Sequence, residues 1–486
     1  MKKIVKGSSA LTAVSIGEML TRFIRTKCIA LLLGTSGTGF LAQLLLFFEM
    51  LRVWGDLGSR RAVIKQIAEQ RFQGKATYQY GEVVKTSFFL AIAASSVVGV
   101  LVAVFSPHIS RLLYGTPSHY FFIIFLAALL PIASLCTVTA SIVKGNLEYM
   151  AFCKYTLAAY AAVIILIPPV IYFFGVWGGV VTMGLFYLFP LIAYLILNAR
   201  KHFLHFSEKL SIKNLKEQFS YGFLQIYQES LTHFVRIAIA TVIIRSLGLS
   251  TMGIYQVVMT FTSIYMAIPI QAMSGYVFPL IAASKNNEEI NLAINESMRY
   301  LMFVLVPIIV VIMVMPELFI RLFFSAEFTP AVPVLRLQLL SPLFILMSYS
   351  YMTALTAKGK LKCTYFIATL YPLLCLAITG FFFPKWQLMG VAGAFAFAGL
   401  VSCLLHFFFA QHYFGTRLLP KNKRLFIMTG LWVALAYIGT TFLRHPATQV
   451  FLVGFGAVWF MVSSKSHERQ YLQDKFKQIL GRGELV

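Results

Sequence analysis

Apolar runs long enough to cross a bilayer recur from one end of this chain to the other, separated by short polar or basic breaks. A run of about 20 such residues spans the hydrocarbon core as one helix. Windowed hydropathy places spans near 10–33, 38–63, 84–106, 119–143, 152–174, 177–197, 218–246, 252–283, 298–315, 330–357, 362–383, 387–412, 424–443 and 447–464. The pattern predicts an all-α integral membrane protein with about 14 (12–14) transmembrane helices. Charges interrupt the first two spans. Basic Met1-Lys2-Lys3 leads into a segment holding Glu18 and Arg22, unlike a cleavable signal, so the first helix is expected to stay.

The second half repeats the first at an offset of about 214 residues. Leu33-Gly34-Thr35-Ser36-Gly37-Thr38-Gly39 matches Leu247-Gly248-Leu249-Ser250-Thr251-Met252-Gly253, and Lys144-Gly145-Asn146-Leu147 matches Lys358-Gly359-Lys360-Leu361. Gly175-Val176 and Gly178 match Gly390-Val391 and Gly393, and Pro107 with Arg111 recurs as Pro316 with Arg321. Six spans per copy is an even number, so both copies enter and leave on one side as parallel repeats. The expected layout is an N-terminal six-helix lobe at 1–200, a cytoplasmic amphipathic linker at 201–217 and a C-terminal six-helix lobe at 218–415. Two extra helices follow at 416–464, then a basic tail at 465–486. A duplicated membrane domain is a transporter pattern, because a site between repeats can open to each side in turn.

Composition adds weight to the membrane reading: 59% of residues are hydrophobic and only 12% charged, against about 25% charged in a soluble domain. The net charge of +24 changes the picture through its placement. With the N-terminus taken as cytoplasmic, lysines and arginines crowd the inner segments, while the outer loops hold little beyond Arg111, Arg245, Arg321, Lys385 and Arg444. The positive-inside rule then puts both termini in the cytoplasm. Basic inner loops meet anionic lipid headgroups, so membrane lipids rather than nucleic acid are the expected contacts.

Charge inside the spans is the candidate chemistry. Glu18, Arg22 and Arg25 share one face of the first helix, and Glu49, Arg52 and Asp56 share one face of the second. The seventh carries Gln225, Glu229 and Arg236, and the spacing of Glu18 to Arg25 recurs from Glu229 to Arg236. An ion facing lipid at mid-depth costs about 2.5–3.5 kcal/mol even on lenient scales, so these groups should face protein or a wet cavity. Arg22, Arg25, Arg52 and Arg236 are the expected cationic cavity for an anionic substrate, since the guanidinium fork suits phosphate. Glu18, Glu49, Asp56 and Glu229 serve either as pairing partners or as an ion-coupling site; the sequence leaves both open. Lys27, Arg60 and Arg61 read as interface residues whose heads snorkel to water, and Arg245 and His233 as structural.

The remaining signals are weaker. The six cysteines form no CxxC pair and no metal site is expected. Tyr255, Tyr265, Tyr276, Tyr349 and Tyr351 offer rings for sugars, although membrane interfaces also collect tyrosine. There is no P-loop, HExxH or GxSxG motif, which argues for a transporter without ATPase or other catalysis, needing no cofactor beyond an H+ or Na+ gradient. A membrane glycosyltransferase or ligase would need acids or histidines in large outer loops, which here hold few.

The run Leu31-Leu32-Leu33-Gly34-Thr35-Ser36-Gly37-Thr38-Gly39-Phe40, then Trp54-Gly55-Asp56-Leu57-Gly58 and Ala62-Val63-Ile64-Lys65-Gln66-Ile67-Ala68-Glu69, resembles Wzx-type O-antigen translocases. These form the polysaccharide branch of the multidrug/oligosaccharidyl-lipid/polysaccharide (MATE/MOP) exporter superfamily. The resemblance implies two six-helix lobes in a V. It also implies flipping of an undecaprenyl-pyrophosphate-linked oligosaccharide across the bacterial cytoplasmic membrane by alternating access, beside a polysaccharide polymerase. The alternatives are a peptidoglycan lipid-precursor flippase and a cation-coupled multidrug exporter.

Overall fold

The computed structural model describes residues 2–72, 77–201, 203–204, 206, 209–265, 277–278, 280–442, 451–452, 454–456 and 458–460. Every regular element among them is helical. In chain order these are α1 (Lys2–Gly55), α2 (Arg60–Phe72), α3 (Thr77–Val104), α4 (Ser106–Tyr114), α5 (Tyr120–Gly145), α6 (Tyr149–Arg200) and α7 (Ile212–Met259). They continue as α8 (Asn287–Val314), α9 (Pro316–Phe323), α10 (Val332–Gln338), α11 (Leu340–Ala357), α12 (Leu361–Phe414) and α13 (Pro420–Phe442). A π-helical turn, Thr260–Tyr265, extends α7, and a 3-10 turn, Ala326–Ala331, precedes α10.

Among the described residues nine stretches are long and apolar enough to cross a membrane. Four of them contain one non-helical residue each: Gly34, Gly175, Gly248 and Gln387. Nine stretches with four breaks make thirteen helical pieces. The expected fourteenth span, 447–464, lies largely outside the described residues, as does the basic tail at 465–486.

The breaks carry the repeat. Gly34 (φ 64°) divides α1 and Gly248 (φ 88°) divides α7, in the matched segments noted above. Left-handed φ is open to glycine but strained for a residue with a Cβ. The second pair of breaks corrects the predicted register. In α6 the break is Gly175 (φ 56°), but in α12 it is Gln387 (φ 47°), not Gly390. Three residues beyond each break stands a glycine, Gly178 or Gly390. A Cβ on either would overlap the helix backbone eight residues earlier, at Val170 or Phe382. Gly178 is therefore the counterpart of Gly390, and Gly175 of Gln387. Matching glycine to glycine by sequence slid the alignment three residues.

Pro107 and Pro316 start the short helices α4 and α9, where a proline's missing N–H costs nothing. Each of these helices has a cation on its last carbonyls. Arg245 Nη2 donates to Arg111 O at 2.6 Å. Lys27 Nζ donates to Arg321 O at 2.7 Å and also to Phe324 O. Positive charge at a helix C-terminus is favourable. Lys27 is thus held by protein carbonyls rather than snorkelling.

The chain clusters into two compact units. The first comprises Met1–Met259, Ile320–Ala331 and Pro372–Val391; the second comprises Thr260–Phe319, Val332–Tyr371 and Ala392–Val486. Compactness thus keeps 218–259 with the N-terminal helices, whereas the sequence reading starts a new lobe at 218. The physical reason is glycine-mediated contact between α1 and α7. A Cβ on Gly39 would overlap the Leu249 carbonyl oxygen, and one on Gly253 that of Thr35. Lower down, Gly222 meets the Leu57 carbonyl oxygen in the turn between α1 and α2. Small residues at such crossings let helix backbones approach.

The linker ends in the second turn of α7. Ser211 N donates to Thr86 Oγ1 at 3.3 Å, and Glu217 accepts from Gln66 and Lys65 at 3.1 Å each. Those contacts, the Gln66 hydrogen bond foremost, hold the Glu217 carboxyl below the usual carboxylate range. Phe206 is exposed and makes an edge contact with Phe88 at 5.4 Å.

In the second unit, α13 is fastened to α8 at both ends. Asn295 accepts from Leu419 N at 3.1 Å and from Asn422 Nδ2 at 2.8 Å. At the other end, Arg336 donates to Met313 O at 3.2 Å and to Thr440 O at 3.1 Å. The first of the two extra spans is thereby part of the second unit's own packing.

Candidate functional site

Glu18, Arg22, Glu49 and Arg52 of α1 line a cavity of about 200 Å³ in the first unit, together with residues of α2, α5 and α6. On α1, the three-and-four spacing of Glu49, Arg52 and Asp56 does what helical geometry dictates. Arg52 Nε donates to Glu49 Oε2 at 2.9 Å, and Arg52 Nη1 lies 3.5 Å from Asp56 Oδ2. Side-chain exposures of 13%, 16% and 3% put this triad out of water. Tyr187 of α6 donates its hydroxyl to Glu49 Oε1 at 3.0 Å. Asp56 also accepts from Gly58 N at 3.0 Å, closing the turn into α2, and faces Arg60 at 3.8 Å.

In the other half of α1, before the Gly34 break, Arg22 Nη2 reaches Glu18 Oε1 at 3.0 Å. Its guanidinium also lies 4.8 Å from the Phe186 ring centroid, and Phe186 stacks on Tyr160 at 5.3 Å. Glu18, Arg22, Glu49, Arg52, Arg60 and Lys144 all line the cavity. Five aromatic side chains share the rest of the wall with small and apolar residues: Phe152, Tyr160, Phe186, Tyr187 and Tyr194. The arrangement suits a ligand with both anionic oxygens and flat, hydroxyl-rich faces: cations meet the first, rings and acceptors the second.

The other predicted residues fall elsewhere. Arg25 is not among the cavity residues. It crosses to α6, where it donates to Thr182 Oγ1 at 3.1 Å and to Gly179 O at 3.5 Å. Glu229 accepts from Gln225 Nε2 at 2.7 Å, four residues earlier on α7. Arg236 is half-buried on the same helix. The separation of Gly34 from Gly248 sets the register of these helices and makes Arg236 the counterpart of Arg22 and Glu229 that of Ser15. The acid-then-arginine spacing in α7 is therefore not carried at positions equivalent to Glu18 and Arg25. His233 Nδ1 is buried without a hydrogen-bond partner among the described residues.

Of the tyrosines offered for sugar stacking, Tyr255, Tyr349 and Tyr351 are buried in packing; the side chains of Tyr265 and Tyr276 lie outside the described residues. The residues that reasoning from sequence missed are Lys144, Arg60 and the α6 aromatics. A trace of the signal existed. Cys136, Thr137, Ala140, Ser141 and Lys144 form one small, polar stripe of α5 at helical spacing, and Lys144 opens a repeated motif. No group of three or more metal-ligating side chains occurs among the described residues.

Helices of membrane length, glycine breaks that recur at a fixed offset and a charged cavity within the first unit describe an all-helical membrane fold, and comparison with known structures agrees. An inward-facing multidrug resistance MATE transporter of the MOP superfamily superposes with a TM-score of 0.72 at 14% identity, over 84% of this chain and 98% of that one. The lipid II flippase MurJ, in an inward closed conformation, gives 0.70 at 16% identity, over 96% and 100%. A MOP transporter from Pyrococcus furiosus, whose binding pocket has been described as reversed in polarity, gives 0.61 at 15%, over 85% and 96%. Among curated proteins none matches. The fold is that of the MATE/MOP transporters. More particularly, the model of a family described as polysaccharide biosynthesis protein matches residues 28–333, and the chain belongs to that family.

Proposed function

We propose that this protein is a flippase, not an enzyme, that moves an undecaprenyl-pyrophosphate-linked oligosaccharide, an O-antigen or other surface-polysaccharide repeat unit, from the inner to the outer leaflet by alternating access. The observation that carries the reading is the cavity of the first unit, where four cations and two carboxylates meet five aromatic rings. Family membership in polysaccharide biosynthesis supports the glycan. A pyrophosphate needs cations, a sugar needs rings and hydrogen-bond acceptors, and the prenyl tail needs neither and stays in lipid.

In this reading the protein sits in the bacterial cytoplasmic membrane with both termini inside, as its basic inner loops favour. Repeats 1–200 and 218–415 form the moving halves, and a polysaccharide polymerase receives the product. Glu18, Glu49, Asp56 and Glu229 hold the arginines in place or couple transport to H+ or Na+. Arg22, Arg25, Arg52 and Arg236 contribute the positive field that draws the substrate's anionic end. A multidrug exporter for cations fits less well, because the cavity's lining carries more positive than negative groups.

The test is export in a strain lacking its own O-antigen translocase and supplied with the glycan genes that accompany this chain. Restored surface glycan is expected. No restoration, together with rescue of a strain depleted of its peptidoglycan-precursor flippase, would move the substrate to that precursor.

A further inference from the structure

We propose that Lys144, not the arginines around it, is the cation that takes the phosphate oxygens of the substrate in this cavity. The inference rests on the pyrophosphate reading above. It follows from what each cation on the cavity wall already holds. Arg22 is engaged by Glu18 at 3.0 Å, Arg52 by Glu49 at 2.9 Å and by Asp56 at 3.5 Å, and Arg60 faces Asp56 at 3.8 Å. An incoming anion would have to compete with a carboxylate for each of these, and would leave that carboxylate buried without its partner, which is costly.

Lys144 stands apart. Its ammonium lies 4.6 Å from the centroid of the Phe152 ring. Among the described residues it meets no carboxylate within ion-pair distance and no hydrogen-bond acceptor. An ammonium has three donors and no acceptor. A ring face attracts the charge but satisfies none of those donors geometrically. The platform is also fixed before any ligand arrives. Phe152 stacks on Tyr194 at 5.2 Å with 15° between planes, and the Tyr194 hydroxyl bonds Thr156 Oγ1 at 2.9 Å. Lys144 is thus a pre-positioned cation with open donors at the wall of a cavity.

A purely structural account also exists. Lys144 sits in the last turn of α5, where a positive charge favours the helix end. That account predicts a change in stability on neutralising the residue and no change in ligand discrimination, which separates the two.

The experiment follows thermal unfolding of purified protein in nanodiscs against added undecaprenyl pyrophosphate, with undecaprenol as the uncharged control. Wild type, Lys144→Gln and Lys144→Arg are compared, and each variant's unliganded melting temperature reports its folding. The expected result is stabilisation of wild type by the pyrophosphate lipid and not by the alcohol. Apparent affinity should fall roughly ten- to hundredfold in Lys144→Gln, the range of a hydrogen bond to a charged group, and largely return in Lys144→Arg. Equal pyrophosphate affinity in wild type and Lys144→Gln would overturn the role of Lys144 and leave the pyrophosphate reading standing. Equal response of wild type to pyrophosphate and alcohol would overturn both.

Discussion

Replacing Arg52 with alanine is expected to cost about 3–5 kcal/mol of stability, the range for breaking a buried ion pair from one side, and with it nearly all export. Arg52 is the shared partner of two carboxylates, Glu49 at 2.9 Å and Asp56 at 3.5 Å, and none of the three side chains is more than 16% exposed. Without the guanidinium, Glu49 keeps only the Tyr187 hydroxyl, and Asp56 keeps Gly58 N and the more distant Arg60. Two like charges would then share a dry site. Arg22→Ala should cost less, because Arg22 and Glu18 are 32% and 39% exposed to the cavity and surface, against 13% and 16% for Arg52 and Glu49. Melting temperatures of the purified variants check the order. The triple replacement Glu49→Gln, Arg52→Gln, Asp56→Asn should recover much of the lost stability, since no unpaired ion remains. A triple variant no more stable than Arg52→Ala would mean that the charges are not what holds this region.

The second large effect is steric. Gly253→Ala and Gly39→Ala should each destabilise the protein by about 1–3 kcal/mol or more, as overpacking does. A Cβ on Gly253 overlaps the Thr35 carbonyl oxygen, and a Cβ on Gly39 overlaps the Leu249 carbonyl oxygen. Both obstacles are backbone, so no side chain can swing away. Helices α1 and α7 would have to separate along their contact. Gly380→Ala is the matched control: nothing lies within 4 Å of its Cβ position, and alanine is the better helix former by about 1 kcal/mol. Its melting temperature should be unchanged or raised. Equal losses at Gly380 and Gly253 would refute the close-approach account.

The parts of this fold that were legible in sequence are those set by local spacing. The ion pairs Glu18–Arg22 and Glu49–Arg52–Asp56 follow from three- and four-residue offsets on one helix, and the structure forms them. Gly34 and Gly248 were readable as equivalent because both copies kept glycine at a left-handed position. Gln387 was not, since it adopts the same kind of backbone as Gly175 with a residue type that carries no such signal. Nor could spacing place Arg25. It shares a face with Glu18 by its seven-residue offset, yet its hydrogen bond goes to Thr182, 157 residues away along the chain. The cavity wall from Phe152 to Tyr194 was illegible for the same reason. Aromatic residues are frequent throughout this chain, and only the packing of α6 on α1 and α5 selects which of them face the charges.

Translocation of a lipid-linked glycan is tested by flipping with the purified protein. Undecaprenyl-pyrophosphate-linked oligosaccharide in proteoliposomes would be followed by access of an external glycosidase to the fraction that starts in the inner leaflet. The protected pool should be lost faster with wild-type protein than in protein-free vesicles, with little acceleration by a folded Lys144→Gln variant. A wild-type rate no greater than that of empty vesicles, with and without an imposed H+ or Na+ gradient, would contradict translocation.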